Sequence, residues 1–170
     1  MSLQELDLKT EHRNVKLETG LSENGRAGIV EHLNEILADH YLLMLKTHNY
    51  HWNVKGPLFK SMHDLTEAQY EDLFAAIDEI AERIRALGFD APGSFKTYSQ
   101  ISKIEEAKSG ISALEMAADL LSSHENLIRN MRDALAKADQ ESDEVTVDLM
   151  TERLSVHEKA AWMWRSFIEQ

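Results

Sequence analysis

The chain has 170 residues, 43% of them hydrophobic, enough to fill one core, and no cysteine, which excludes disulfides, thiolate nucleophiles and thiolate zinc sites. Its 18 Lys and Arg against 30 Asp and Glu leave a formal charge of −12, which repels nucleic acid and anionic membrane and attracts cations. Residues 1–20 are polar, without an apolar run of signal-peptide length, and no later run reaches the length of a membrane span. These features predict a soluble, cytoplasmic protein that handles metal ions sooner than DNA.

Between a few clusters of glycine and proline the apolar residues recur at helical spacing, so the expected fold class is all-α. The first helix is expected from about Ser22 to Val54, with Leu33, Leu37, Tyr41, Met44 and Leu45 as its buried stripe, ended by Gly56-Pro57. A second helix runs from about Phe59 to Leu87, with Met62, Leu65, Leu73, Phe74, Ile77, Ile80 and Ile84 apolar and Gly88 as its C-terminal cap. Pro92-Gly93 opens a connection in which Phe95 to Ile101 forms a short helical turn. Ser112 followed by Glu115 is a capping-box signature that opens a third long helix to about Lys137. The acidic stretch from Asp139 to Asp148 leads into a last helix ending near Ile168, with Val147, Met150, Leu154, Ala161 and Trp164 at helical spacing. Four long helices in one small domain make a bundle over residues 22–170, and residues 1–21 read as a tail.

Helical bundles often hold paired iron ions through Glu-x-x-His pairs on two helices of one chain. None of the eight histidines, His12, His32, His40, His48, His51, His63, His124 and His157, has a glutamate three positions earlier, so an intrachain centre of that kind is not expected. The second helix instead carries two pairs at spacing four, His63 with Glu67 and Asp78 with Glu82, each one turn apart on one face. The pairs are about 16 Å apart along the axis, too far for one metal pair. His63 and Glu82 are equidistant from the point between Asp72 and Leu73, and so are Glu67 and Asp78. An antiparallel copy of the same helix therefore completes two sites about a twofold axis, the commonest symmetry of homo-oligomers. His51 and His63 are likewise equidistant from Pro57, so a hairpin pivoting there brings the two imidazoles together. Two imidazoles with three carboxylates suit iron, and zinc or manganese would accept the same set. The competing explanation is that a chain with 28% charged residues places acids at spacing four by chance.

The run His51-Trp52-Asn53-Val54-Lys55-Gly56-Pro57, followed by His63, Glu67, Tyr70 and Asp78-Glu79-Ile80-Ala81-Glu82-Arg83, strongly resembles the signature of the Dps family of miniferritins. Similarity continues through Asp148-Leu149 and His157-Glu158-Lys159-Ala160-Ala161-Trp162-Met163, covering the chain from about Ser22 onward. The resemblance implies a ferritin-like four-helix bundle with a short helix between helices two and three, assembled as a hollow homo-oligomer, a dodecamer. It implies a ferroxidase that oxidises Fe(II), typically with hydrogen peroxide, and stores the ferric product. His51, His63 and Glu67 of one subunit, with Asp78 and Glu82 of its twofold mate, are the implied catalytic and metal residues, in agreement with the register. Position 67 is often Asp in the family, so Glu67 is a departure with a longer arm.

Trp52 resembles the family's tryptophan beside the iron centre, where it intercepts oxidising equivalents, although packing alone also explains a large aromatic. His48, one turn before His51, reads as a neighbour of the ligands and not as one of them. The family places an acidic pore for incoming iron near Asp139, Glu141, Asp143, Glu144 and Asp148, with Asp148 the best single candidate, while acids at a helix N-terminus also simply complement its dipole. Some relatives compact DNA through basic tails. Here Lys9, Arg13 and Lys16 are offset by Glu5, Asp7, Glu11 and Glu18, and the chain closes as Ile168-Glu169-Gln170, so DNA binding is not expected. A metal-free helical scaffold is the remaining alternative, which the ligand registers oppose.

Overall fold

A computed structural model describes residues 17–169. The tail expected over residues 1–21, including Lys9, Arg13 and Lys16, falls mostly outside the described residues, as does Gln170. Five helices occur in order: α1 (Glu23–Asn53), α2 (Phe59–Ala86), α3 (Phe95–Ile101), α4 (Ala113–Gln140) and α5 (Glu144–Ile168). No strand occurs among the described residues. The fold is the expected all-α four-helix bundle, with α3 as the short helix in the connection between α2 and α4.

Local chemistry sets each boundary. Ser22 Oγ accepts the Gly25 N–H and starts α1. Gly56, at φ +88°, reverses the chain into α2. Gly88, at φ +94°, stops α2 in a Schellman arrangement: the Gly88 N–H reaches the Arg85 carbonyl and the Phe89 N–H the Ile84 carbonyl. The expected capping box opens α4, the Glu115 N–H donating to Ser112 Oγ and the Ser112 N–H to the Glu115 carboxylate. That helix runs to Gln140, one turn beyond the expected end, because nothing before Ser142 breaks it. Asp143 then caps α5 through the Thr146 N–H.

In the bundle, α1 packs against α2 and α4, and α4 against α5; α2 and α5 touch only lightly. The core includes Leu33, Ile36, Leu37, Leu73, Ile80, Leu127, Met150 and Trp164, with the Trp164 indole N–H satisfied by Gln69 Oε1 at 2.8 Å. Asp39, fully buried on α1, accepts from Ser102 Oγ, the Lys103 N–H and Asn130 Nδ2, each at 2.7 Å, and so ties the segment after α3 to α1 and α4. Two expected core residues are corrections: Leu45 is 48% exposed and Phe74 is 70% exposed. The buried face of α1 continues from Leu37 through His40, Leu43, Thr47 and Tyr50, polar positions included, and Leu45 lies on the far side of it. Phe74 belongs instead to the exposed face of α2 that carries Glu67, Glu71 and Asp78 at spacings of four and three. No helix among the described residues is long and apolar enough to cross a membrane.

Candidate metal centre

The α1–α2 turn brings His51, in the last turn of α1, onto His63, in the second turn of α2. Their rings stack with centroids 3.7 Å apart and planes 17° from parallel. His51 Nδ1 lies 3.0 Å from the His63 carbonyl, and His63 Nδ1 lies 3.1 Å from the His51 carbonyl. A carbonyl only accepts, so both rings carry their proton on Nδ1. Both Nε2 lone pairs are thereby freed to bind a cation, the arrangement in which a metal-ligating histidine is oriented by its other nitrogen. Thr66, fully buried, donates its hydroxyl to the Met62 carbonyl at 2.7 Å and stands 3.2 Å from His51 Nδ1, a second acceptor for that proton. The C-terminal end of α1 adds the negative pole of its dipole, which favours a cation at His51.

Glu67 follows His63 by one turn and is exposed, with its carboxylate near the Tyr70 phenol. Desolvation and the Glu67 and Glu71 carboxylates push the Tyr70 phenol up from its usual range. Tyr70 meets the His51 ring edge-on at 5.3 Å and lies against His48 at 3.9 Å. His48 is stacked in turn on Trp52, with centroids 5.1 Å apart and planes 8° from parallel. Desolvation and the neighbouring His51 hold the His48 imidazole below its ordinary range. Trp52 is 65% exposed, which rules out core packing within the chain as the reason for its size. Thr66 is the residue that the spacing argument missed: a β-branched hydroxyl three positions after His63 is what a second support for an imidazole needs.

Asp78 and Glu82 are exposed on α2, about three turns beyond Glu67. Among the described residues, no three acidic or imidazole groups of one chain converge on a common point. One subunit therefore brings together His51 and His63, with Glu67 one turn away, and leaves Asp78 and Glu82 apart from them. Of the acidic stretch, Asp143 is buried and bound to Arg83 at 2.6 Å, and Glu141 is paired with Lys137. Asp139, Glu144 and Asp148 are exposed.

A bundle of four long helices with one long connection, carrying an imidazole pair at the first hairpin, is of the ferritin-like class, and the family model "Ferritin-like domain" matches residues 30–170. The chain is 44% identical over 156 residues to a low temperature-induced protein of Nostoc, covering 91% of this chain and 87% of that one. It is 38% identical over 142 residues to DNA protection during starvation protein 2 of Bacillus anthracis, covering 84% of this chain and 97% of that one. The crystal structure of Dps from Staphylococcus aureus superposes with a TM-score of 0.83 at 31% identity, over 85% of this chain and 97% of that one. The chain belongs to the Dps family of ferritin-like proteins. With that membership comes the family's general role in iron oxidation and storage.

Proposed function

We propose that this protein is a ferroxidase and iron store that oxidises Fe(II), preferentially with hydrogen peroxide, and thereby protects a cytoplasm from oxidative damage. The catalytic site is shared: His51, His63 and Glu67 come from one subunit, Asp78 and Glu82 from its twofold mate. What carries the reading is the His51–His63 pair, two imidazoles with Nδ1 tied to main-chain carbonyls, which leaves Nε2 as the nitrogen for a cation. Such a pair is a ligand set in search of carboxylates, and the register about the point between Asp72 and Leu73 supplies Asp78 and Glu82 from an antiparallel α2. Exposed Phe74, beside that point on the same helix face, gives the two copies an apolar contact. The mate closes further into a hollow dodecamer whose interior holds the mineral, and exposed Asp148 and Glu144 line the pore through which iron arrives.

In the reaction two ferrous ions each give one electron to one molecule of peroxide, whose O–O bond breaks. Hydrolysis of the ferric product to oxyhydroxide then releases four protons for each pair of iron atoms. The carboxylates favour the ferric state by charge, and the imidazoles keep both ions at a fixed position while the electrons leave. Trp52, exposed and stacked on His48, which lies beside His51, is placed to take up a stray oxidising equivalent.

Relatives carry DNA protection in their names, and this protein gives that protection by consuming iron and peroxide; with −12 per subunit it does not coat DNA. An anomalous-scattering map from iron-soaked crystals tests the metal, the ligands and the subunit pairing together. Iron between His51, His63 and Glu67 of one chain and Asp78 and Glu82 of another is the expected result. Iron bound elsewhere, or a monomer in solution, refutes it.

A further inference from the structure

The connection between α2 and α4 rests on α1 through a pair of tyrosines. Tyr41, half-buried on α1, and Tyr98, buried on α3, stack with ring centroids 4.5 Å apart and planes 20° from parallel. The Tyr98 hydroxyl donates to the Pro92 carbonyl at 2.5 Å, which fixes that ring from the start of the connection. Burial, and then the Tyr41 hydroxyl beside it, pushes the Tyr98 phenol up to about 12. The two hydroxyls thus lie at the same end of the stack, and the carbons that face each other there are the Cε atoms flanking each phenol oxygen.

Phenols so arranged have one characteristic reaction. A tyrosine that loses an electron and its hydroxyl proton becomes a phenoxyl radical, whose unpaired electron is shared between the oxygen and the two Cε atoms. Two such radicals with their Cε atoms in contact join through a carbon–carbon bond, giving dityrosine. The other two tyrosines of the chain have different neighbours. Tyr70 meets the His48 and His51 rings, and Tyr50 is fully buried, its hydroxyl donating to Asp119 Oδ2 at 2.6 Å and accepting the Lys108 N–H at 3.0 Å. Solvent reaches Tyr41, and exchange of a hydrogen atom between adjacent hydroxyls carries the oxidation on to Tyr98.

We propose that Tyr41 and Tyr98 form an oxidative modification site, at which hydroxyl radicals from ferrous iron and hydrogen peroxide join the two rings as an intrachain dityrosine. A lone ferrous ion gives one electron to a peroxide, whose O–O bond breaks to hydroxide and a hydroxyl radical. The radical takes the hydrogen atom of the Tyr41 hydroxyl and becomes water. Tyr41 recovers a hydrogen atom from Tyr98, and a second radical takes it away again. Both rings are then oxidised by one electron, the Cε–Cε bond forms, and each ring regains its hydroxyl as the Cε proton moves to oxygen. Each bond consumes two ferrous ions and two peroxides and yields two ferric ions, two hydroxides and two waters. The link ties α3 to α1, so the connection is stapled to the bundle when peroxide is present. It rests on the proposed function for the supply of its oxidant alone; the ring geometry is independent of the His51–His63 pair.

The test treats the assembled protein with ferrous iron and excess peroxide, then digests it for mass spectrometry, with Fe(II) oxidation followed in the same samples as a separate check on the ferroxidase reading. Peptides joined through Tyr41 and Tyr98, two hydrogen atoms lighter than their sum, are expected, with blue dityrosine fluorescence and no band above a single subunit on a denaturing gel. Tyr41→Phe and Tyr98→Phe should each abolish the link and leave the rate of Fe(II) oxidation unchanged. Iron-free photo-oxidation with a ruthenium complex and persulfate should join the same two peptides. The linked protein should unfold at a higher urea concentration than the untreated one. Absence of the link with both oxidants, a link formed by light alone, a link that survives either substitution, or chains joined to one another in its place each overturns the proposal.

Discussion

His51 and His63 hold each other through a reciprocal pair of hydrogen bonds, each ring's Nδ1 on the other residue's main-chain carbonyl, at 3.0 and 3.1 Å. The imidazoles are thus positioned by backbone that the α1–α2 turn already fixes, so that under the proposed function their Nε2 atoms are set before any iron arrives. Preorganisation of this kind means that damage to a supporting residue appears as weakened metal binding with the fold intact.

Thr66 is the side chain that shares in this support. Thr66→Val keeps the shape and the burial but removes the hydroxyl that stands 3.2 Å from His51 Nδ1. The expected outcome is a roughly tenfold loss of Fe(II) affinity, measured by titration of apo-protein, with little change in thermal stability. Unchanged affinity would mean that the His63 carbonyl alone orients His51.

The proposed sharing of the site between subunits makes a sharper forecast about mixtures. Oligomers assembled from His63→Ala subunits alone, or from Glu82→Ala subunits alone, have every site damaged. In a mixed pair both lesions fall in one of the two sites, and its twofold twin is intact. Ferroxidase activity should therefore reappear on co-assembly, read as Fe(II) oxidation after denaturing and refolding the two variants together. Sites confined to single chains would give no recovery.

Asp39 offers a test of stability apart from chemistry. Its carboxylate is fully buried, its acidity weakened by burial, and three donors from the α3 segment and α4 converge on it. Asp39→Ala strands those donors, and a loss of about 3 kcal/mol is expected in denaturant unfolding at fixed protein concentration. Iron oxidation per folded subunit should be unaffected.

How much of this was legible in the sequence differs by element. The helix ends were, because Ser22, Gly56, Gly88 and the Ser112–Glu115 box act locally, and a cap needs only its own neighbours. His51 and His63 were legible as partners because a tight hairpin turns sequence spacing into distance. The depth of His40, His124 and His157 was not read, since a hydrophobic stripe is traced through apolar residues and each of these histidines interrupts one. The signal existed: His124 lies between buried Leu120 and Leu127 at helical spacing, and His157 between Leu154 and Ala161. Phe74 was read with the apolar residues of its helix for the opposite reason: its neighbours at spacings of three and four, Glu71 and Asp78, are acids of the exposed face, and only the proposed twofold contact would cover it.

Those three histidines also predict how the protein responds to acid. Folded, His40 is held to about 4 and His124 to about 3, and His157 is depressed as well; unfolded, each titrates near 6.5. Above that value neither state binds the protons and the histidines have no effect on stability. Below it the unfolded chain takes up protons that the folded core refuses, so stability falls with pH until the folded values are reached. Each group contributes about 1.4 kcal/mol per pH unit in that window, so three together give a slope of about 4 kcal/mol per unit between roughly pH 6 and pH 4.5. Urea midpoints across that range, at one protein concentration, measure the slope. His124→Asn should reduce it by about one third, since one refused proton is gone. A wild-type profile that stays flat down to about pH 4.5 would mean that the buried histidines take up protons in the folded core.

The last prediction is negative and concerns DNA. Each subunit carries a formal charge of −12, and an assembly of such subunits multiplies that charge over one surface. Duplex DNA is held chiefly by Lys and Arg that displace counterions from phosphate, and a surface of the same sign as the phosphates opposes the approach. Lys9, Arg13 and Lys16 are balanced within their own segment by Glu5, Asp7, Glu11 and Glu18, so that segment supplies no net cation. Divalent ions change the sign of the argument, because one bound to a surface carboxylate can bridge to a phosphate. The measurement is accordingly a gel-shift titration in EDTA at several salt concentrations, at neutral pH. No shift is expected at physiological salt, and adding magnesium should restore whatever weak association the carboxylates can mediate. Tight binding in EDTA that weakens steeply with salt would reveal a patch of phosphate contacts and would place DNA coating beside iron oxidation as a function of this protein.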